Sequence, residues 1–317
     1  MSRRAWLAFA AMSVLWGCSY LLIRIAVRGG MPAPDVAWTR VCIAAVLLLA
    51  LSLRSGVVRA VRGRWRWLVI YAIVEICIPF PLIAAGEVHV ASSLAAILIA
   101  AVPLIGAVLA MRFDHSERPT RTRGIGLLIG FAGVIALVGV DVAGSGPELL
   151  GAGAILIAAV GYSIGPMVVK HRLGGLDPRV MMGVSLAIAT LILTPFAAVD
   201  TPSRAPTVGA WAAVVGLGVL CTALAFVVFA VLIREAGTSR ATVITYVNPL
   251  VAVVLGVTLE GERPGAGAIA GLLLILAGSW LSTGGRLPPT RRSRARPDPG
   301  PDPARPEPGP DPGLMRA

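Results

Sequence analysis

The chain is a succession of long apolar runs separated by short polar stretches. Ten runs stand out, at about 5–27, 34–53, 67–86, 91–111, 122–140, 149–169, 179–199, 208–232, 238–259 and 265–283. Each is roughly 17–25 residues, the length an α-helix needs to cross a hydrocarbon layer about 30 Å thick. Apolarity is continuous along each run rather than alternating, which selects helices over the strands of a barrel. The pattern predicts an all-α membrane protein with ten transmembrane helices.

The polar punctuation recurs. Glu117-Arg118-Pro119 returns as Glu262-Arg263-Pro264, Gly126-Leu127-Leu128 as Gly271-Leu272-Leu273, and Ala132-Gly133 as Ala277-Gly278. Upstream, with the spacing longer by one residue, Ser93, Ala95 and Pro103-Leu104 match Ser239, Ala241 and Pro249-Leu250. A duplication of this kind defines the architecture. It predicts one five-helix repeat over 5–140, a second over 149–284, and a separate tail over 285–317. Five is odd, so the second copy enters the membrane upside down, giving inverted repeats around a central cavity.

Composition agrees, with 56% hydrophobic residues, 14% charged residues and a mean hydropathy of +0.83, against about 25% charged in ordinary soluble domains. The net charge of +12 would suggest nucleic acid if it were spread over one surface. Instead, with the N-terminus in the cytosol, 23 of the 28 Lys and Arg residues fall on inner segments or the tail. That is the positive-inside signature of topology. It predicts a multi-pass inner-membrane protein with both termini cytosolic and no nucleic-acid partner. Residues 5–27 are too long for a signal peptide and lack a clear cleavage site. The tail alternates Pro with acid (Asp298-Pro299, Asp302-Pro303, Glu307-Pro308), which cannot bury a core. Its basic stretch, Arg291–Arg296, suits anionic lipid headgroups. The four cysteines, Cys18, Cys42, Cys77 and Cys221, all lie in apolar runs without a CxxC pair and read as small buried hydrophobes.

An ordered set of residues carries a family resemblance. Helix one has Trp16-Gly17-Cys18-Ser19-Tyr20, helix two opens after Pro34 and carries Arg40, and helix four reads Ser92-Ser93-Leu94-Ala95-Ala96 before Pro103, Glu117 and a glycine-rich fifth helix. Helix nine repeats this with Ser239, Ala241, Pro249 and Glu262. Over roughly 5–284 the chain resembles EamA-type transporters of the drug/metabolite transporter superfamily. The resemblance implies a ten-helix inverted-repeat fold and export or exchange of small metabolites. The polar junction Arg112–Ser116 before Glu117 departs from the second copy.

Glu75 is the strongest single candidate. An acid at membrane depth is costly, and it is by default a functional residue; here the role is proton coupling, against a structural pairing with Arg24 or Arg40. Those arginines either snorkel, pair structurally, or meet an anionic substrate group. Pro79, Pro103 and Pro249 are candidate helix breaks and hinges, with Pro81 adding to the first, because each ring removes one helical hydrogen bond. Tyr246 and Asn248 flank the break at Pro249. Trp16, Ser19 and Tyr20 match Tyr162, Gly165 and Pro166 at a spacing near 146, and with Ser163 complete the candidate substrate cavity. Gly126 with Gly130, and Gly267 with Gly271, are GxxxG pairs for helix packing or for a homodimer face.

Gly161-Tyr162-Ser163-Ile164-Gly165 fits G-x-S-x-G, but a nucleophile elbow needs a strand-to-helix turn and a His partner. No HExxH, Walker A or paired metal-ligand motif occurs. The sequence therefore predicts no enzyme, no cofactor and no metal. It predicts a secondary transporter of small metabolites or amphiphiles working by alternating access, with proton coupling at Glu75. The alternative is a membrane-embedded sensor or scaffold without flux.

Overall fold

A computed structural model describes residues 2–52, 61–113, 121–142, 145–199, 205–236 and 244–282. Glu117, Ser239, Ala241, the Asp114–Ser116 junction and the tail from 285 lie outside the described residues. The described residues are helical, with no strand among them. Among the described residues, eight helices are long and apolar enough to cross a membrane: α1 (Arg3–Arg28), α2 (Ala33–Ser52), α3 (Trp65–His89), α4 (Ser92–Arg112), α5 (Arg121–Asp141), α6 (Gly146–Leu173), α7 (Pro178–Val199) and α8 (Val208–Ala236). Two more, α9 (Ile244–Leu259) and α10 (Ala266–Ser282), are apolar but shorter, at 16 and 17 residues. At 1.5 Å per residue these reach only about 24–26 Å, short of the full spans expected at 238–259 and 265–283. For α9 the shortfall lies at its start, where 238–243 are outside the described residues.

Contacts between helix ends sort them onto two faces. On one face, Thr207 before α8 donates its N–H to Gly29 O at 2.9 Å, Arg28 at the end of α1 pairs with Glu260 beyond α9 at 2.8 Å, and Asp141 ending α5 accepts from the N–H of Ala268 in α10. On the opposite face, Ser2 donates to Glu235 of α8 at 2.8 Å, and Arg64 before α3 donates to Gly174 O beyond α6 at 3.0 Å. The chain thus runs up and down the bundle.

Three pairs of helices five positions apart in chain order lie side by side: α5 with α10, α2 with α7 and α4 with α9. α5 packs antiparallel on α10 through bare glycine backbones. A Cβ on Gly133 would sit 2.8 Å from Leu274 Cβ and 2.9 Å from Gly271 O; one on Gly126 would sit 2.8 Å from Gly278 O. Both GxxxG pairs are therefore used within the chain for close helix approach. α2 packs antiparallel on α7, with the Trp38 indole N–H donating to Thr194 Oγ1 at 3.0 Å near one end and Gly183 against Leu48 near the other. α4 and α9 also pack together. Outward-facing positions are apolar, with Leu128 74%, Ile135 71%, Leu150 76% and Leu191 75% exposed. A soluble protein rarely exposes such a belt, whereas lipid accepts it.

Gly133→Leu should force the α5–α10 backbones apart. Overpacking of this kind typically costs about 1–3 kcal/mol, so thermal unfolding in detergent should begin at a lower temperature than for the parent. Gly139→Leu, where a Cβ meets nothing within 4 Å, is the control and should leave the transition unmoved.

Candidate functional site

Among the described residues three helices carry a wide π-helical turn: one ends α6 at Val169–Leu173, and the other two stand at matching places, Ile73–Cys77 in α3 and Val219–Leu224 in α8, 146 residues apart. Such turns are rare and concentrate at functional sites. In α3 the cause is legible: Pro79 and Pro81 have no N–H to return to the carbonyls of Glu75 and Cys77, and Ile78 N–H bonds Ile73 O at 3.0 Å instead. α8 has no proline there. Its Thr222 hydroxyl takes up a freed carbonyl, donating to Leu217 O at 2.8 Å.

Each wide turn presents a reactive side chain inward, Glu75 in α3 and, at the matching position, Cys221 in α8. Glu75 packs on the bare backbone of Gly165 in α6, where a Cβ would fall on its carboxyl. Its Oε2 is buried and has no hydrogen-bond partner among the described residues, and it forms no ion pair with Arg24 or Arg40. Cys221 lies with its Sγ 3.5 Å from Sγ of Cys18 in α1, both as free thiols.

Arg40 does not snorkel. It is 8% exposed, its Nε donates to Thr222 Oγ1 at 2.7 Å, and its guanidinium lies 4.2 Å from the centroid of the Phe80 ring. Phe80 in turn meets Tyr162 edge-on at 6.5 Å. α2, α3, α6 and α8 thereby converge on one patch: a carboxyl, a guanidinium, two aromatic rings and a hydroxyl.

The other expected site residues are placed as follows. Trp16 meets Phe226 of α8 edge-on at 6.2 Å and Phe229 at a tilt at 5.1 Å. Ser19 is buried and donates to Leu15 O at 3.3 Å. Tyr20 and Tyr162 border the same apolar cluster. Ser163 donates to Ala159 O at 2.7 Å and Val102 O at 3.0 Å. Val102 restarts α4 after an interruption at Ala100–Ala101, just ahead of Pro103. The Tyr246 hydroxyl donates to Ser279 O at 3.3 Å. Asn248 keeps a buried Oδ1 with no hydrogen-bond partner among the described residues. Pro79 is buried at the start of the α-helical turn that follows the π segment. Pro249 differs from Pro103: α9 runs through it as one helix, because a ring six residues into the helix costs a single bond to Thr245 O without opening the next turn.

A second polar cluster sits on the face that carries Glu260. From the turn before α10, Glu262 reaches the N-terminus of α4, where Oε1 accepts from Ser92 N–H at 2.8 Å and Ser92 Oγ at 2.9 Å, and Oε2 from Ser93 N–H at 3.0 Å. Burial pushes this carboxyl up, but the bonds from Ser93 and Ser92 outweigh it and hold it below the ordinary 4.5. Arg24 Nε stands 3.5 Å from Glu262, while its NH1 donates to the carbonyls of Glu87 and Val90 that end α3. Beside them opens a cavity of about 260 Å³, lined by Arg24, His89, Ser93, Asp141, Glu148 and Glu262 among others. Glu87 escaped the sequence reading, which ended the third span at 86. α3 continues to His89 and buries Glu87 at 1% exposure.

An all-helical bundle among the described residues, with a lipid-facing apolar belt and charged groups held inside, defines a multi-pass membrane protein. The chain belongs to the EamA-like transporter family, whose profile it matches twice, over residues 3–139 and 149–284. It is 30% identical over 266 residues to the uncharacterized inner membrane transporter YedA of Escherichia coli, covering 80% of this chain and 82% of that one. It is 29% identical over 288 residues to a probable terminal-alkyne amino-acid exporter of Streptantibioticus cattleyicolor, covering 89% and 93%. A solved crystal structure with 22% identity superposes with a TM-score of 0.63 over 89% of this chain and 97% of that one, a likeness of fold.

Glu262→Ala should remove the cap of α4, a loss of about 0.5–2 kcal/mol for a helix cap, read as a lower unfolding midpoint in detergent. The carboxyl's folded value lies below its unfolded one, so its contribution is full above pH 4.5 and fades as pH falls through the folded value. Glu262→Gln should flatten that part of the stability–pH profile.

Proposed function

We propose that the protein is a secondary exporter or exchanger of small metabolites, amphiphilic or amino-acid-like, and that it works by alternating access between two inverted five-helix halves, 5–140 and 149–284. The observation that carries the reading is the pair of wide turns 146 residues apart, with Glu75 at one and Cys221 at the other. The antiparallel packing of α5 on α10 and of α2 on α7 supports a two-fold axis in the membrane plane. On this reading the face with Glu262 is the outer one, both termini are cytosolic, and a reporter fused at Arg121 signals the cytosol while one at Ser145 signals the outside. The Escherichia coli relative's name supports the inner membrane, and the Streptantibioticus relative's name supports an amino-acid-like cargo.

Glu75 supplies the coupling. Its carboxyl has no fixed cation among the described residues, so it exchanges a proton with whichever side is open, and a substrate entering beside Arg40, Phe80 and Tyr162 feels that change of charge. Trp16, Tyr20 and Asn248 complete the cavity, and Pro103 with the freed carbonyls of α4 gives the bundle its hinge.

The test is flux in proteoliposomes with a compound found by a resistance screen of overexpressing cells. Glu75→Gln should abolish accumulation driven by a pH gradient while exchange at equal pH survives. Gradient-driven transport persisting in Glu75→Gln would end the coupling role.

A further inference from the structure

Glu87 is a second acid inside the bundle, twelve residues beyond Glu75 on α3. Both its carboxyl oxygens are buried without a hydrogen-bond partner among the described residues, in a side chain 1% exposed. A carboxylate so enclosed would need a fixed counter-ion and donors, and a carboxyl without them is stable only as the neutral acid. The charged and titratable groups facing it are Arg24 and Tyr20 from α1, Arg40 from α2 and Glu262 from the turn before α10. At this level α6 brings Gly151 and Ile155 against α3 at Gly86, and its acid Glu148 lies further along, on the wall of the cavity with His89. Neither cation serves Glu87. Arg40 is engaged by Thr222 and Phe80. Arg24 is drawn to Glu262 and spends NH1 on the carbonyls of Glu87 and Val90.

Arg24 therefore has two acids within reach and serves one. Glu262, its present partner, belongs to the second half of the chain; Glu87 belongs to the first, as Arg24 does. The bond that Arg24 and α4 make to Glu262 crosses between halves and must break if the halves part on the outer side. Arg24 Nε, with no hydrogen-bond partner of its own, is then free to turn to Glu87.

We infer that Glu87 is a proton-binding site that latches the outer side: it holds a proton while Arg24 is bound to Glu262, and gives it up when Arg24 transfers to it. On closing, a proton from the outside water forms an O–H bond on Glu87 as Arg24 leaves for Glu262. On opening, that O–H bond breaks, the proton returns to the outside water through the cavity beside Ser93 and His89, and Arg24 replaces it as counter-charge. No redox step or further reactant is involved. The inference rests on the alternating-access reading and is separate from the coupling role of Glu75.

A cysteine at Leu94, buried on the wall of that cavity, reports opening through its labelling in whole cells by a membrane-impermeant maleimide. Rates are normalised to a cysteine at Val208, 87% exposed, on the same face. Labelling of Leu94→Cys should rise severalfold as the outside pH is raised through the neutral range. Glu87→Gln should make it low and independent of pH, whereas Glu262→Ala should raise it at every pH. Labelling that ignores pH in the parent, or that keeps its pH dependence in Glu87→Gln, overturns the latch. Infrared spectra of purified Glu75→Gln give a second reading, valid even if Glu87→Gln fails to reach the membrane. A protonated-carboxyl band at neutral pH is expected there and should vanish in Glu75→Gln/Glu87→Gln; its absence from Glu75→Gln overturns the proton site. Neither measurement uses substrate, so failure of Glu75-coupled flux and failure of the latch are read separately.

Discussion

Glu262 closing the N-terminus of α4 is the interaction around which the polar architecture is arranged. A helix start leaves four N–H groups without intrahelical partners, and at α4 the residues that carry the first of them, Ser92 and Ser93, are buried. α4 offers only Ser92 and Ser93 there, and both need an acceptor. The acceptor comes from the far half of the chain, and its negative charge also suits the positive end of the α4 dipole. Asp141 does the same for α10 in the opposite sense: an acid of the first half meets backbone N–H of the second. Each half thus completes a helix end of the other.

Those cross-half caps fix where the arginines go. Arg24 is held at Glu262 and at the end of α3, which keeps it on the same face as Arg28 and Glu260. Arg40 has no such acid among the described residues and meets Thr222 and the face of Phe80. Hydrogen bonds to charged groups contribute about 1.5–3 kcal/mol, enough to hold a guanidinium in place but weaker than a desolvated ion pair with good geometry. The inner patch is consequently under-satisfied. Glu75, Glu87 and Asn248 all keep buried oxygens without hydrogen-bond partners among the described residues. Buried groups in this condition cost stability.

The wide turns in α3 and α8 give the under-satisfied patch its shape. A π turn adds a residue without ending the helix, so it rotates Glu75 toward Gly165 and brings Thr222 under Arg40. The bare backbones of Gly161 and Gly165 receive this bulge; a Cβ on either would strike Val74 O or the Glu75 carboxyl. The small residues of α6 and the bulge of α3 are two parts of one fit.

The sequence by itself determined the helical class, the membrane setting, the duplication and the family, because apolar run length, charge placement and repeated spacing survive without knowledge of contacts. It also singled out Glu75, since a lone acid in an apolar run is visible in one dimension. It ended the third span at 86 and left Glu87 beyond it, because an acid at the edge of an apolar run looks the same whether it faces water or neighbouring helices. Only the tertiary structure decided that α3 continues past it, that Arg24 answers Glu262, that Arg40 lies on Phe80, and that Ser163 spends its hydroxyl on carbonyls at the interruption of α4. Each of these depends on which side chain from a distant helix stands within about 3 Å of a polar atom, and that distance is set by helix packing, which no local pattern encodes.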